Sequence, residues 1–143
     1  MLKPKIVELV SHSDDRGFLS VLSPTYAAFP SEIKRIYVLH HSNPKSERGG
    51  HAHPNLWQLI LCTSGTVTIE VATPNEIYTY ELSQCDKALI IPPGYWRTLY
   101  NFTPKTVLVV LADKEYEETV YIRNFDKYID WYNSNAIKNW GNN

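Results

Sequence analysis

The sequence predicts an all-β fold, an antiparallel barrel or sandwich that is followed by one short helix. Short segments rich in β-branched and aromatic residues recur about every ten residues, and turn-forming residues separate them. Helical periodicity is found only near the C-terminal end. The chain has 143 residues, of which 43% are apolar, which suits one domain with a full core. We therefore expect a single domain over residues 1–143.

The strand prediction rests on segments between residues 36 and 112. Segment 66–71, TVTIEV, alternates strictly, so Val67, Ile69 and Val71 are expected on one face. Segment 56–62, LWQLILC, is almost continuously apolar, as in a strand that is covered on both faces. The remaining predicted strands are 36–40, 77–82, 87–92, 98–102 and 106–112.

The period changes from strand to helix in residues 123–140. Phe125, Tyr128, Ile129 and Tyr132 recur at the spacing of one helical face. We predict one C-terminal helix there, with a polar, frayed tail from about residue 136.

The composition excludes several classes of function. The formal net charge is −1 and no long basic run occurs, which argues against binding to nucleic acid or to a membrane surface. No apolar stretch typical of a secretory signal or a membrane span is found, so we expect a cytoplasmic protein. Cys62 and Cys85 form no CxxC pair, and Cys62 is expected to be a buried structural thiol.

Residues 51–53 read His-Ala-His, and two such histidines share a face if they lie on a strand. An inward-facing pair at the open end of a small barrel resembles the first motif of the cupin superfamily. In that motif a glutamate and then a glycine follow the histidines, and Gln58 and Gly65 stand at these spacings here. The resemblance implies a cupin-type jelly roll.

The second cupin motif is also present in its spacing. It runs from a glycine through PxG to a histidine and an asparagine, and the corresponding residues here are Asp86, the Pro-Pro-Gly at 92–94, Arg97 and Asn101. Gln58 and Arg97 therefore stand where cupins carry a glutamate and a histidine ligand. Arginine stays protonated and repels a metal cation, so we predict no metal.

Without a metal, the histidine pair serves either proton transfer or structure. Histidine has the unperturbed pKa closest to neutrality, which suits a general acid or base. A satisfied core or turn histidine is the alternative. The same-face arrangement of His51 and His53 favours catalysis.

The arginines around these motifs are candidates for binding an anion. An inward-facing arginine needs an anion or a hydrogen-bonded partner, and a protein carboxylate or a phosphate would serve. Arg35 shares a face with Tyr37 if 36–40 is a strand, and the aromatic Trp96 offers a surface for a sugar or a base. The arginines are Arg16, Arg35, Arg48 and Arg97.

Several segments resemble the sugar-nucleotide 3,4-ketoisomerases, small cupin enzymes that act on dTDP-4-keto-6-deoxyglucose. They are DDRGFLSV, IKRIYVL, ERGGHAH, QLILCTSGTVTIEV, IPPGYW and the ending VLVVLADKEYEETVYIRNFDKYI. The most specific are RGxHAH and YxETxYIRxxxxY, the latter matched from Tyr116 to Tyr128. The likeness runs from about residue 6 to residue 132.

The resemblance implies a tautomerisation that moves the keto group from C4 to C3 through an enediol, with no cofactor. By analogy His51 is the carbon acid/base, and His53 assists on the oxygens or orients its neighbour. Tyr37 and Arg48 would bind or polarise the sugar oxygens. A homodimer is also expected, since the apolar N-terminal strand offers an edge for pairing.

The remaining candidates are substrate-binding residues by the same analogy. Arg16 and Arg35 would anchor the sugar or the diphosphate, and Gln58 and Trp96 would line the site. Arg97 departs from the usual family histidine after the tryptophan. It would hold an anionic group, change the sugar orientation or stabilise an enediolate.

Three other functions remain open at this level. A dTDP-sugar 3,5-epimerase shares the barrel and an acidic DxRGxF turn, but the His-Ala-His motif fits the ketoisomerases better. A cupin that binds a nucleotide sugar without turning it over is the second alternative. A metal-dependent cupin, such as a dioxygenase, is the third and is disfavoured by Gln58 and Arg97.

Overall fold

The structure, a computed structural model, describes residues 1–23, 29–83 and 86–140, with side chains to residue 136. The strands in these ranges are β1 (Lys5–Glu8), β2 (Val10–Asp14), β3 (Gly17–Val21), β4 (Arg35–His41), β5 (Arg48–Ala52), β6 (Gln58–Ser64), β7 (Thr66–Ala72), β8 (Ile77–Ser83), β9 (Lys87–Ile91), β10 (Trp96–Tyr100) and β11 (Thr106–Ala112). A 3-10 turn, Tyr116–Glu118, precedes helix α1, Phe125–Trp140.

Two antiparallel sheets form the body of the protein. One has the strand order β1-β9-β6-β11-β4, and the other has the order β5-β10-β7-β8. A third, two-stranded sheet consists of β2 and β3. All registered pairs are antiparallel, which confirms the predicted all-β class with a C-terminal helix.

The main core lies between the two large sheets. Val67, Ile69 and Val71 of β7 are buried in it, as their alternation predicted. On β6, Ile60 and Cys62 enter this core, so the predicted burial of the thiol is confirmed. Cys85 lies outside the described residues.

The other face of β6 is covered as well. Leu59 and Leu61 pack in a second apolar cluster with Phe29 and Ile90. This confirms the two-sided cover that the continuous apolar run predicted. The strand itself begins at Gln58 rather than at residue 56.

The predicted bounds of β10, like those of β6, are displaced by two residues. We predicted 98–102, whereas the strand runs from Trp96 to Tyr100. Asn101 has a φ of 52°, outside the extended region, so the strand ends before it. The shift places residues 96 and 97 inside a strand, where they alternate between faces.

Helix α1 is tied to the four-stranded sheet by an aromatic contact and by hydrogen bonds. Tyr128 is fully buried, and its hydroxyl lies 3.1 Å from Ala72 O and 2.9 Å from Gly94 O. The helix continues to Trp140, and residues 141–143 of the predicted tail lie outside the described part of the chain. No helix among the described residues is long and apolar enough to cross a membrane.

Candidate active site

A cavity of about 390 Å³ opens between the two sheets and brings the sequence motifs together. Five predicted site residues line it, and they come from β4, β5, β6 and β10. These are Tyr37, Arg48, His51, Gln58 and Arg97. We call this cavity the cleft.

A backbone irregularity sets His51 opposite Arg97 across the β5–β10 pair. His51 pairs with Arg97 and Gly49 with Thr98, so the register shifts at Gly50. Gly49 has a φ of 83°, and an added Cβ would come within 2.6 Å of Arg97 O. Only glycine fits such an approach, which gives a structural reason for the glycine at position 49.

The two histidines lie on the same side of the chain, as predicted. Their ring centroids are 4.6 Å apart in an edge-on arrangement. His51 lines the cleft, whereas His53 is only 1% exposed and lies behind it. His53 Nδ1 is 2.9 Å from Val120 O. Because a carbonyl only accepts, Nδ1 carries the proton and Nε2 is left as an acceptor.

Both histidines are held in their neutral form. Burial, followed by the charge of Arg97, lowers the pKa of His51 to about 4. The same causes lower the pKa of His53 to about 3. At neutral pH each ring is therefore unprotonated on one nitrogen and can accept a proton.

The segment 115–123, which we call the strap, crosses beside the histidine pair. Ala52 and Ile122 exchange two backbone hydrogen bonds of 2.9 Å. The side chain of Asn55 donates to Glu118 O at 3.0 Å and accepts from Val120 N at 3.3 Å. These contacts fix the carbonyl of Val120 that orients His53.

The strap also adds an aromatic ring and a cation to the site. The Tyr121 ring lies edge-on to both histidines, 4.4 Å from His53 and 5.3 Å from His51 between centroids. The Arg123 guanidinium lies 4.3 Å from the Tyr121 ring centre and lines the cleft. The YxETxYIR pattern marked this segment as telling but did not reveal its role at the site.

A chain of hydrogen bonds connects the two replaced ligand positions to Tyr37. Arg97, 2% exposed, donates from Nη1 to Gln58 Oε1 at 2.9 Å and from Nη2 to Tyr95 O at 3.0 Å. Gln58 Nε2 in turn donates to the Tyr37 hydroxyl oxygen at 3.0 Å. Burial lowers the pKa of Arg97 to about 10, so Arg97 remains a cation at neutral pH.

The charges on the cleft are mostly positive. Arg48, Arg97 and Arg123 line it, and Glu47 is the single carboxylate among the described lining residues. Arg48 Nε makes a long hydrogen bond of 3.5 Å to His41 Nδ1. An excess of guanidinium groups in a partly enclosed site favours an anionic ligand.

Arg35 lies next to the cleft rather than on its lining. Its guanidinium carbon is 5.4 Å from the Tyr37 ring centre and 5.7 Å from that of Tyr116. Its Nη2 donates to Thr119 Oγ1 at 3.4 Å. The predicted shared face of Arg35 and Tyr37 is confirmed.

Two further predicted substrate contacts, Trp96 and Arg16, do not line the cleft of a single chain. Trp96 points to the opposite face of β10 from Arg97 and packs on Phe125 and Tyr128, with ring centroids 5.1 and 5.5 Å away. We therefore reassign Trp96 to the docking of α1. Arg16 lies in the β2–β3 hairpin, exposed, with its Nε 3.0 Å from Asp14 Oδ2.

Comparison with known proteins decides the family. The family model described as FdtA: WxcM-like, C-terminal, matches residues 2–133. This chain belongs to the FdtA/WxcM-like family. A curated relative, the TDP-4-oxo-6-deoxy-alpha-D-glucose-3,4-oxoisomerase of Aneurinibacillus thermoaerophilus, is 31% identical over 131 residues, which cover 90% of this chain and 94% of the relative.

Solved structures of 3,4-ketoisomerases agree with the fold. The H51N variant of the 3,4-ketoisomerase QdtA from Thermoanaerobacterium thermosaccharolyticum, in complex with TDP-4-keto-6-deoxyglucose, has a TM-score of 0.85 and 34% identity, and 94% of this chain and 97% of that chain are covered. A 3,4-ketoisomerase from Helicobacter canadensis has a TM-score of 0.85 and 32% identity, with coverage of 93% and 99%. These similarities confirm the predicted cupin-type barrel.

A more distant similarity concerns the fold alone. The dTDP-4-dehydrorhamnose 3,5-epimerase of Bacillus anthracis is 19% identical with a TM-score of 0.73, covering 83% of this chain and 78% of that chain. The FdtA/WxcM-like match and the ketoisomerase relatives therefore favour the ketoisomerase interpretation over the epimerase alternative.

Proposed function

We propose that this protein is a metal-independent sugar-nucleotide 3,4-ketoisomerase that acts on TDP-4-keto-6-deoxyglucose. The observation that carries the proposal is a neutral, cleft-lining His51 next to a phenol and an excess of guanidinium groups. Related proteins that share about a third of the sequence carry this activity or this ligand in their names.

The proposed reaction moves one proton between adjacent carbons and another between their oxygens. Neutral His51 takes the proton from C3, which is acidic because it is next to the C4 ketone, and the C–H electrons form the C3–C4 double bond of an enediolate. The proton of the C3 hydroxyl passes to the C4 oxygen, and His51 returns its proton to C4, so that C3 carries the ketone and C4 the hydroxyl. No oxidant or reductant is consumed.

The cleft offers groups for the negative charge that develops on the sugar oxygen. Arg97 and Arg123 bring fixed positive charge to a partly enclosed site, where electrostatic stabilisation of an oxyanion is strong. Tyr37 is placed to hydrogen-bond an oxygen of the sugar, and Arg48 supplies a further cation for the sugar or the diphosphate. Arg35 supports Tyr37 from behind.

His53 has an orienting role in this proposal. Its ring is buried against His51, and its tautomer is set by Val120 O. A side chain in this position holds the neighbouring imidazole and offers little surface to a sugar. His51, rather than His53, is therefore the proposed carbon acid/base.

We also propose that the protein is a homodimer. Strand β4 is the edge of its sheet, with Ile36 63% and Val38 51% exposed. The β2–β3 hairpin exposes Phe18 and Leu19 to 62% each. Unpaired edge strands and exposed apolar faces favour association with another chain. We propose that the other chain is a second copy of this protein.

The dimer would give Arg16 a route to substrate. Within one chain Arg16 is solvent-exposed on the β2–β3 hairpin, outside the cleft lining. Its predicted role as an anchor therefore requires the hairpin of one copy to reach the cleft of another. The single-domain organisation and the cytoplasmic location stay predictions.

The function is tested by incubating the protein with TDP-4-keto-6-deoxyglucose and following the sugar carbons by NMR. We expect the carbonyl signal to move from C4 to C3. Absence of any migration with intact, TDP-binding protein would instead favour a cupin that only binds nucleotide sugars. Stoichiometric bound iron, manganese or zinc that is required for turnover would contradict the metal-independent mechanism.

A further inference from the structure

Tyr37 is connected to the buried Arg97 through the side chain of Gln58. The orientation of the Gln58 amide group is fixed by its partners. Arginine has only donors, so the atom of Gln58 that faces Arg97 Nη1 at 2.9 Å must be the carbonyl Oε1. A reversed amide would set two donors against each other. Arg97 therefore fixes which end of the Gln58 amide faces Tyr37.

The other end of that amide is a donor, and this decides what the Tyr37 hydroxyl does. Gln58 Nε2 lies 3.0 Å from the Tyr37 oxygen and cannot accept a hydrogen bond. The Tyr37 oxygen is thus the acceptor of this contact. Among the described residues the Tyr37 hydroxyl proton has no hydrogen-bond acceptor, and Tyr37 lines the cleft at 37% exposure.

We propose that Arg97 and Gln58 act as positioning residues that keep the hydroxyl proton of Tyr37 available for a sugar oxygen in the cleft. Arg97 acts through Gln58, and Gln58 acts on Tyr37. The inference rests on the proposed ketoisomerase for its substrate, but the direction of the hydrogen bonds rests on the geometry alone.

This arrangement also gives a reason for a glutamine, rather than a glutamate, at position 58. A glutamate there would accept from Arg97 on one side and from the Tyr37 hydroxyl on the other. The phenolic proton would then be bound within the protein instead of being offered to the ligand. Glutamate has nearly the same volume and gives the buried Arg97 an ionic partner, so Gln58→Glu is expected to fold.

The first test measures how residue 58 acts on the ionisation of the Tyr37 phenol, without any turnover. A 3,5-difluorotyrosine, whose phenol ionises near neutral pH, replaces Tyr37 in the full-length chain, and its ionisation is followed by absorbance. The titratable and charged groups that act on Tyr37 or line the same cleft are left unchanged; they are Arg35, Glu47, Arg48, His51, Arg97, Tyr121 and Arg123.

In the wild-type background the Gln58 donor stabilises the phenolate, whereas in Gln58→Glu a carboxylate opposes it. We expect the titration midpoint of the fluorinated residue to be higher in Gln58→Glu by about one pH unit or more. Equal midpoints, or a lower midpoint in Gln58→Glu, would overturn the proposed direction of the hydrogen bonds.

The second test uses a double-mutant cycle with Tyr37→Phe. We expect Gln58→Glu to lower kcat by about 100-fold, the scale of a well-placed proton donor, with a much smaller change in KM. In the Tyr37→Phe background the same change should have little further effect, because the group it acts on is gone. A full, additive loss in that background would show that the new charge acts on the cleft directly and would overturn the proposal.

The two tests separate this inference from the proposed function. If the wild-type protein shows no ketone migration but the midpoints differ as expected, the isomerase assignment fails and the hydrogen-bond direction stands. If migration occurs and the midpoints are equal, the function stands and the positioning role fails.

Discussion

At the scale of single residues, the site depends on two histidines that are neutral for the same physical reasons but face different surroundings. Burial and the neighbouring Arg97 depress both pKa values. His51 opens on the cleft, whereas His53 is enclosed between His51, Tyr121 and Val120. We therefore propose two roles for the two histidines at the end of β5, a chemical one for His51 and an orienting one for His53.

This difference predicts unequal effects of the same substitution. His51→Asn should lower the kcat of ketone migration by about 100-fold or more and should still bind TDP. His53→Asn should lose less in kcat, because Asn retains a donor for Val120 O. Steady-state kinetics and TDP titration calorimetry measure both effects. A larger kcat loss in His53→Asn than in His51→Asn would reverse our assignment.

At the scale of elements, close packing in the turn from β6 to β7 requires a glycine at position 65, the last residue of the first cupin motif. Gly65 has a φ of 71°, and an added Cβ would lie 2.5 Å from Thr106 Oγ1 and 2.6 Å from Thr103 Oγ1. These threonines hold the turn, since Thr66 N donates to Thr103 Oγ1 at 2.7 Å. Gly50, with a φ of 68°, has no such neighbours.

The pair Gly65→Ala and Gly50→Ala separates steric contact from backbone strain. Each substitution places a Cβ on a residue with a positive φ, which costs about 1–2 kcal/mol of folding free energy. Gly65→Ala should destabilise the fold by at least about 1 kcal/mol more, because the threonine network must move. Urea unfolding monitored by tryptophan fluorescence gives both values. Equal destabilisation of the two variants would contradict the close approach at Gly65.

The elements also show what the sequence could and could not predict. Local alternation identified β7 and the helix of Tyr128, because period and face are encoded in neighbouring residues. The opposite directions of Trp96 and Arg97 follow from the strand period, but the predicted start of β10 at residue 98 left both outside the strand. Correct bounds would have separated them.

The contacts of the strap were not predictable from local pattern. Asn55 meets residues 118 and 120 across more than sixty positions in the chain, and no periodicity reports such a pairing. The same holds for the direction of the Arg97–Gln58–Tyr37 chain. The motif spacing assigned Gln58 and Arg97 to two ligand positions of one site, but which atom of the amide faces which partner depends on the three-dimensional structure.

At the scale of the whole molecule, β4 and the β2–β3 hairpin each expose several large apolar residues. A second copy would cover both regions and continue the sheet beyond its β4 edge. Arg16 belongs to the hairpin, so its proposed contact with substrate depends on the proposed dimer.

The proposed dimer predicts that Val38→Glu shifts the protein to a monomer in light scattering coupled to size exclusion. The charge would be buried without a partner in the interface, which costs several kcal/mol. Ile77→Glu on β8, an equally apolar and 67% exposed residue of the other sheet, serves as the matched control and should leave the dimer intact. A monomeric wild type, or a dimeric Val38→Glu, would refute this interface.

The central claim is that a neutral His51 carries a proton between C3 and C4 of the sugar. The most direct measurement is the reaction of TDP-4-keto-6-deoxyglucose in deuterated water, with the product analysed by NMR for the position of the ketone and of the deuterium. We expect the ketone at C3 and any deuterium at C4 of the product, with His51→Asn showing neither. Deuterium at C5, or ketone migration that persists in His51→Asn, would contradict the account.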